Sequence, residues 1–190
     1  MSNAFPLPSN LPVPLDDGAC AHLAGMRLPA IELVSARGTV VNLGELKSAR
    51  TIIYCYPMTG VPGKPLPEGW NMIPGARGCT PQSCGFRDHF EELEKLGAEV
   101  FGLSTQKSDY QIEMAQRLQL PFPVLSDTEL KFCRALRLPT FEVDGMTLVK
   151  RLTLVIRDGA IEKVFYPVFP PDQSAEQVLQ WLRDAKPAKR

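Results

Sequence analysis

Gly78-Cys79-Thr80-Pro81-Gln82-Ser83-Cys84-Gly85-Phe86-Arg87-Asp88-His89-Phe90 is the stretch from which the rest of the chain is read. Two cysteines lie five positions apart in it. Thr80 followed by Pro81 reads as a helix N-cap with proline in the first turn. Phe86, Phe90 and Leu93 then recur at helical spacing, and Gly97 reads as the C-terminal stop of a helix over 81–96. Cys79 therefore falls at the positive end of a helix, where unpaired backbone N–H groups stabilise a thiolate. Thr51-Ile52-Ile53-Tyr54-Cys55-Tyr56, ending at Pro57, reads as a strand buried on both faces. Strand, loop, thiol and helix in that order are a plan for a sulfur nucleophile.

Between strand and thiol runs a proline- and glycine-rich loop, residues 58–77. Loops of this length inside a compact domain are usually functional or disordered. This one leads directly into Cys79, so it is expected to shape or cover the thiol pocket, with Trp70 as its anchor. Further out, Ile31 to Val34 and Thr39 to Val41 read as short strands about an Arg37-Gly38 turn. Ala98 to Ser104 reads as another buried strand. Ser108 is the expected cap of a helix through Leu118, with Tyr110, Met114 and Leu118 on one face. Phe122 to Leu125 is a short strand, and Asp127 caps a helix through Leu136. Leu152 to Ile156 and Ala160 to Tyr166 flank Arg157-Asp158-Gly159, a hairpin signal. Ser174 with Gln177 makes a capping box for a last helix through Asp184. Strands alternating with helices, and a late hairpin, predict a three-layer α/β/α domain with a mixed sheet. Residues 1–29, rich in proline, read as an arm with a short helix near Asp17 to Leu23, and 30–190 as the domain.

The 190 residues suit one domain with a sizeable core. Their 21 basic and 21 acidic side chains cancel, so no basic field for nucleic acid is expected. No apolar run is long enough for a membrane span, and residues 1–14 lack the pattern of a signal peptide. The cytoplasm is the expected location. Five scattered cysteines argue for reduced thiols rather than a disulfide scaffold. Cys55 and Cys133 read as core residues, and Cys20 with His22 are two ligands too few for a metal site. Two histidines make a Cys–His hydrolase improbable, and the absence of Cys-x-x-Cys speaks against a thioredoxin-type reductase.

The segment from Gly78 to Asp88 resembles the active-site segment of the peroxiredoxins, closest to the peroxiredoxin Q or bacterioferritin comigratory class. The similarity extends to Tyr54-Cys55-Tyr56-Pro57, Val100 to Thr105, Leu125-Ser126-Asp127 and Lys150 to Ile156, and covers about residues 30–185. The resemblance implies a thioredoxin-like fold and thiol-dependent reduction of peroxides. It implies Cys79 as the peroxidatic thiol, Cys84 as the resolving thiol and Arg151 as the active-site arginine. No cofactor or metal is expected. A peroxide substrate and a thioredoxin- or glutaredoxin-like reductant are the expected partners, for a monomer or homodimer. The family pattern carries a threonine three residues before the peroxidatic cysteine. Here that position is Ala76, and Thr59 is the expected stand-in.

Peroxide reduction needs a thiolate, positive charge for the departing oxygen, and a second thiol to condense with the sulfenic acid. In an intact helix, residues five apart have Cα atoms about 8–9 Å apart. A disulfide wants less than about 7 Å, so the first turn must unwind, which Gly85 eases. On a helical wheel Cys84 falls about 160° from Phe86, off the apolar stripe, and is not expected in the core. The competing expectation is a non-catalytic redox sensor or binding module on the same fold.

Overall fold

The computed structural model describes residues 7–185. Its centre is β3 (Arg50–Cys55), buried at every position because both of its faces are covered. Side chains alternate across a strand. Ile52, Tyr54 and Tyr56 therefore enter one core, whereas Ile53 and Cys55 enter the other. β3 runs parallel to β4 (Ala98–Ser104), which runs parallel to β5 (Val124–Ser126). β8 (Leu152–Arg157) lies antiparallel on the other side of β3, and β9 (Ala160–Phe165) returns beside it. β1 (Glu32–Ser35) and β2 (Val40–Asn42) extend the far edge. The seven strands are ordered β2-β1-β5-β4-β3-β8-β9, a mixed sheet as predicted.

Helices α1 (Cys79–Asp88), α2 (Phe90–Lys95), α3 (Ser108–Arg117) and α5 (Ser174–Asp184) contribute to the core on one face of the sheet. Helix α4 (Lys131–Leu136) covers the other face through Phe132, Cys133 and Leu136. The same core holds Cys20, Leu23 and Leu28, so the second half of the arm is tied down by burial. Residues 18–25 form turns there, such as Leu23 N–H to the Cys20 carbonyl, and the short helix predicted near Asp17 to Leu23 is absent.

Other local expectations are corrected. The single helix over 81–96 is two, broken at His89 (φ −101°, ψ 8°), although Gly97 closes the second with φ 75° as predicted. Ser108 is the first helical residue rather than the cap, and its hydroxyl bonds Ser126 Oγ instead. Ser174 likewise begins α5 without capping it; a turn of 3-10 helix, Pro171–Gln173, leads in. Asp127 is not the N-cap, which is Leu130 before a helix that starts at Lys131, but its carboxylate still accepts from the N–H groups of Phe132 and Cys133 at 3.1 and 2.9 Å. β6 (Thr140–Val143) and β7 (Met146–Val149) form a hairpin that the sequence reading passed over. Asp144 and Gly145 turn it with φ 48° and 72°, the same left-handed pair that Asp158 and Gly159 (53° and 73°) supply at the predicted hairpin.

Candidate active site

Cys79 is the first residue of α1, with Gly78 before it as the N-cap in place of the predicted Thr80. Gly78 has φ 104°, where an L side chain is strained. A Cβ there would meet Pro171 Cγ at 2.3 Å. The backbone thus turns sharply into the helix under the 3-10 turn that leads to α5. Gly78 offers no capping side chain and Pro81 has no N–H, so the N-cap residue gives the first-turn N–H groups of Cys79 and Thr80 no side-chain acceptor. Phe86 anchors α1 to the sheet by stacking on Tyr54, with ring centroids 4.3 Å apart and 9° between planes.

Arg151 follows β7 and precedes β8, and it is buried. Its Nη2 lies 3.1 Å from Cys79 Sγ and donates to it. The same nitrogen donates to the carbonyls of Ala76 and Arg77 at 3.0 and 3.2 Å, and Nε donates to the Gly75 carbonyl at 3.1 Å. Nη1 donates to Gln82 Oε1, and Gln82 Nε2 donates to Ser174 Oγ at 3.3 Å. Among the described residues these acceptors are neutral carbonyl and amide oxygens and the sulfur. No carboxylate pairs with the guanidinium there, so its charge remains available to an anion at Sγ. The Cys79 thiol itself is 3% exposed and lies 3.5 Å from the Ala76 carbonyl oxygen. Gln82 and Ser174 were missed in the sequence. The only signal was a polar residue one helical turn after Cys79.

A cavity of ≈470 Å³ opens on the thiol, walled by Met58, Thr59, Val61, Leu66, Trp70 and Thr80 among others. The loop therefore shapes the thiol pocket, as expected. Trp70 is its anchor: it is buried with Met58, Ala76 and Leu148, and its ring lies 6.2 Å from that of Phe141. Thr59 is fixed by Gln106, whose Oε1 accepts from Thr59 N–H at 2.8 Å and from its hydroxyl at 3.3 Å, and whose Nε2 donates to the Thr59 carbonyl at 3.1 Å. Thr59 thus lines the same cavity as Cys79, with its hydroxyl hydrogen directed to Gln106.

Cys84 departs from expectation. It is 4% exposed and belongs to the same core as Phe86. The end of α3 covers this side of α1, where Arg87 Nη1 reaches the Leu118 carbonyl at 3.0 Å. Burial pushes the Cys84 thiol up, partly offset by the charges of Arg87 and Arg117. Burial also pushes up Cys20, to about 12, and Cys55 and Cys133 further. All five cysteines are free thiols. His22 bonds the Leu136 carbonyl through Nε2 at 2.9 Å, and no group of three or more metal-ligating side chains is found among the described residues.

Comparison with known proteins agrees with this arrangement. The Redoxin family model matches residues 23–179. Peroxiredoxin Bcp of Escherichia coli is 31% identical over 165 residues, 85% of this chain and 96% of that protein. The chloroplastic peroxiredoxin Q of Sedum lineare is 31% identical over 163 residues, 85% and 78% of the two chains. Among solved structures, peroxidoxin BcpB from Mycobacterium tuberculosis superposes with a TM-score of 0.70 at 26% identity, over 86% of this chain and 97% of that one. The chain belongs to the Redoxin family and, within it, to the peroxiredoxins of the Q or Bcp kind, which are thiol-dependent peroxidases. Its fold is the thioredoxin-like one of those relatives.

Proposed function

We propose that Cys79 is the peroxidatic thiol, Arg151 its activating and orienting cation, and Cys84 the thiol that resolves the sulfenic acid within the same chain. The observation that carries this is the 3.1 Å contact of Arg151 Nη2 with a sulfur at the open end of α1, facing a cavity. The thiolate attacks the terminal oxygen of the peroxide and the O–O bond breaks. Sulfur is oxidised by two electrons to the sulfenic acid, and the second oxygen leaves as water or an alcohol after taking up a proton. Arg151 and the α1 N–H groups hold the negative charge that passes between sulfur and the departing oxygen. Thr59 Oγ1, already donating to Gln106, keeps lone pairs that accept the peroxide O–H and so orient it.

Cys84–SH then condenses with Cys79–SOH, forming the disulfide and releasing water. Both residues lie in one continuous helix in the reduced protein, and Cys84 is buried. The first turn of α1 therefore unwinds and Cys84 leaves its core position before the bond can close. A thioredoxin- or glutaredoxin-like dithiol reduces the disulfide and completes the cycle. The reduced thiols suit the cytoplasm, and we assign the work to a monomer or homodimer there. No helix among the described residues is long and apolar enough to cross a membrane.

Stopped-flow mixing of the reduced protein with hydrogen peroxide and with cumene hydroperoxide, followed by non-reducing peptide mapping, tests the scheme. Oxidation far faster than that of free cysteine and a Cys79–Cys84 peptide pair are the expected results. A rate like that of free cysteine, or a bridge between two chains, would contradict it. Thr59→Val is expected to slow the first step about tenfold or less, since it removes one orienting hydrogen bond of ordinary strength.

A further inference from the structure

The Redoxin match begins at residue 23, yet the chain before it runs along the thiol site. Leu7 lines the cavity above Cys79, and its Cδ2 is 3.2 Å from where a Cβ on Gly78 would stand. Pro14 covers Gly75: its ring carbons lie 3.5 and 3.6 Å from the Cβ position of that glycine. Gly75 is one of the residues whose carbonyls hold Arg151. Three residues on, Asp17 Oδ2 pairs with Lys150 Nζ at 2.8 Å, and Tyr166 donates its hydroxyl to Asp17 Oδ1 at 2.8 Å. Lys150 is the backbone neighbour of Arg151. A second cavity, ≈370 Å³, lies between the arm and the arginine, with Val13, Pro14, Gly75, Phe141 and Arg151 among its walls.

We propose that residues 7–17 are part of the peroxidase site, with Asp17 as a positioning residue that seats the arm over Gly75 and so holds Arg151 against Cys79. The chain of contact is explicit. Asp17 fixes the arm to Lys150 and Tyr166, Pro14 lies over Gly75, and the Gly75 carbonyl sets the direction of Arg151 Nε. From the other end of the arm, Leu7 closes the cavity over the sulfur. With the arm released, Cys79 becomes more open to bulky reagents, whereas Arg151 loses one of the carbonyl supports that aim it. Access and peroxide reactivity then change in opposite directions. The Asp17–Lys150 pair is partly exposed, at 45% and 37% side-chain accessibility, so it is a weak, salt-sensitive fastening rather than a permanent one.

This inference rests on the roles given above to Cys79 and Arg151, and the experiment separates the two. Reduced wild type, Asp17→Asn and Asp17→Glu are mixed with hydrogen peroxide. In parallel, labelling of Cys79 by a bulky maleimide is timed and assigned by mass spectrometry. Asp17→Asn is expected to oxidise about threefold more slowly and to label about threefold faster, the scale of one exposed ion pair with its hydrogen bonds. Asp17→Glu, which keeps the charge, restores wild-type behaviour. Wild type in about 0.5 M NaCl moves toward Asp17→Asn in both readouts, because the short Debye length weakens the pair. Unchanged rates, or both rates moving the same way, would overturn the role of Asp17. A wild type that does not react with peroxide overturns the peroxidase roles instead, and the labelling rates still report on the arm.

Discussion

Arg151 is a buried cation whose partners among the described residues are carbonyls, an amide oxygen and a thiol. Its planar fork fits those directions, and lysine cannot reproduce them. Arg151→Lys is therefore expected to slow oxidation of Cys79 by about a hundredfold, the usual loss for one preorganised donor at a site of charge development. Cys79→Ser should abolish peroxide turnover. Cys84→Ser should permit the first oxidation, leaving a sulfenic acid that persists or over-oxidises. Trapping that acid with a dimedone-type probe distinguishes the variants, and equal loss of the first step in both would contradict the division of roles. Cys79 was legible from its place before Thr80 and Pro81, even though Gly78 proved to be the cap. Arg151 was legible only through the family pattern. Gln106 was not legible at all, and Gln82 only as a polar residue one turn after Cys79, because nothing local marks a glutamine whose amide will be buried against a distant backbone or guanidinium. The helical wheel misplaced Cys84, since a wheel reports one apolar stripe and α1 is covered on a second side by α3.

At the scale of elements, the entry into α1 is tightly constrained. Gly78→Ala must accept a strained φ and a Cβ 2.3 Å from Pro171 Cγ, so one of the two elements has to move. A loss of about 2–3 kcal/mol, read as a lower urea midpoint, is the expected result. Trp70→Ala should destabilise by about 3 kcal/mol and loosen the cavity wall, because it empties the small core that roots loop 58–77. That such a loop needed a root, and that Trp70 was it, could be read from composition: one large aromatic among prolines and glycines. The β6–β7 hairpin was equally announced by Asp144-Gly145, but its strands are short and half exposed, so alternation alone carried little signal. The break at His89 had no signal in the apolar pattern, which runs through it unchanged from Phe86 to Leu93.

For the whole molecule, Cys20, Cys55, Cys84 and Cys133 hold their protons because burial disfavours their thiolates. Unfolded thiols release theirs near their ordinary value of about 9, whereas burial holds the Cys20 proton up to about 12. Between these limits the folded state binds more protons, so stability falls as pH rises above about 9 and is unaffected by these groups below it. Urea midpoints measured from pH 7 to 10.5 should decline at the alkaline end, and replacing Cys55 and Cys133 by alanine should flatten that decline while lowering the midpoint at pH 7. The sheet that buries these groups also sorts them. Cys79 and Cys84 belong to the core on one side of it, and Cys20, Cys55 and Cys133 to the core on the other. It acts as a bulkhead between a working compartment and a sealed one. With the roles proposed for Cys79 and Cys84, a folded molecule is expected to cycle through oxidation without mispairing, because Cys20, Cys55 and Cys133 stand on the other side of the sheet. A bond from Cys79 to Cys133 is then a scar: it marks a chain that came apart while oxidised, and the share of such chains after a stress would count past unfolding events that no later measurement of the intact protein could see.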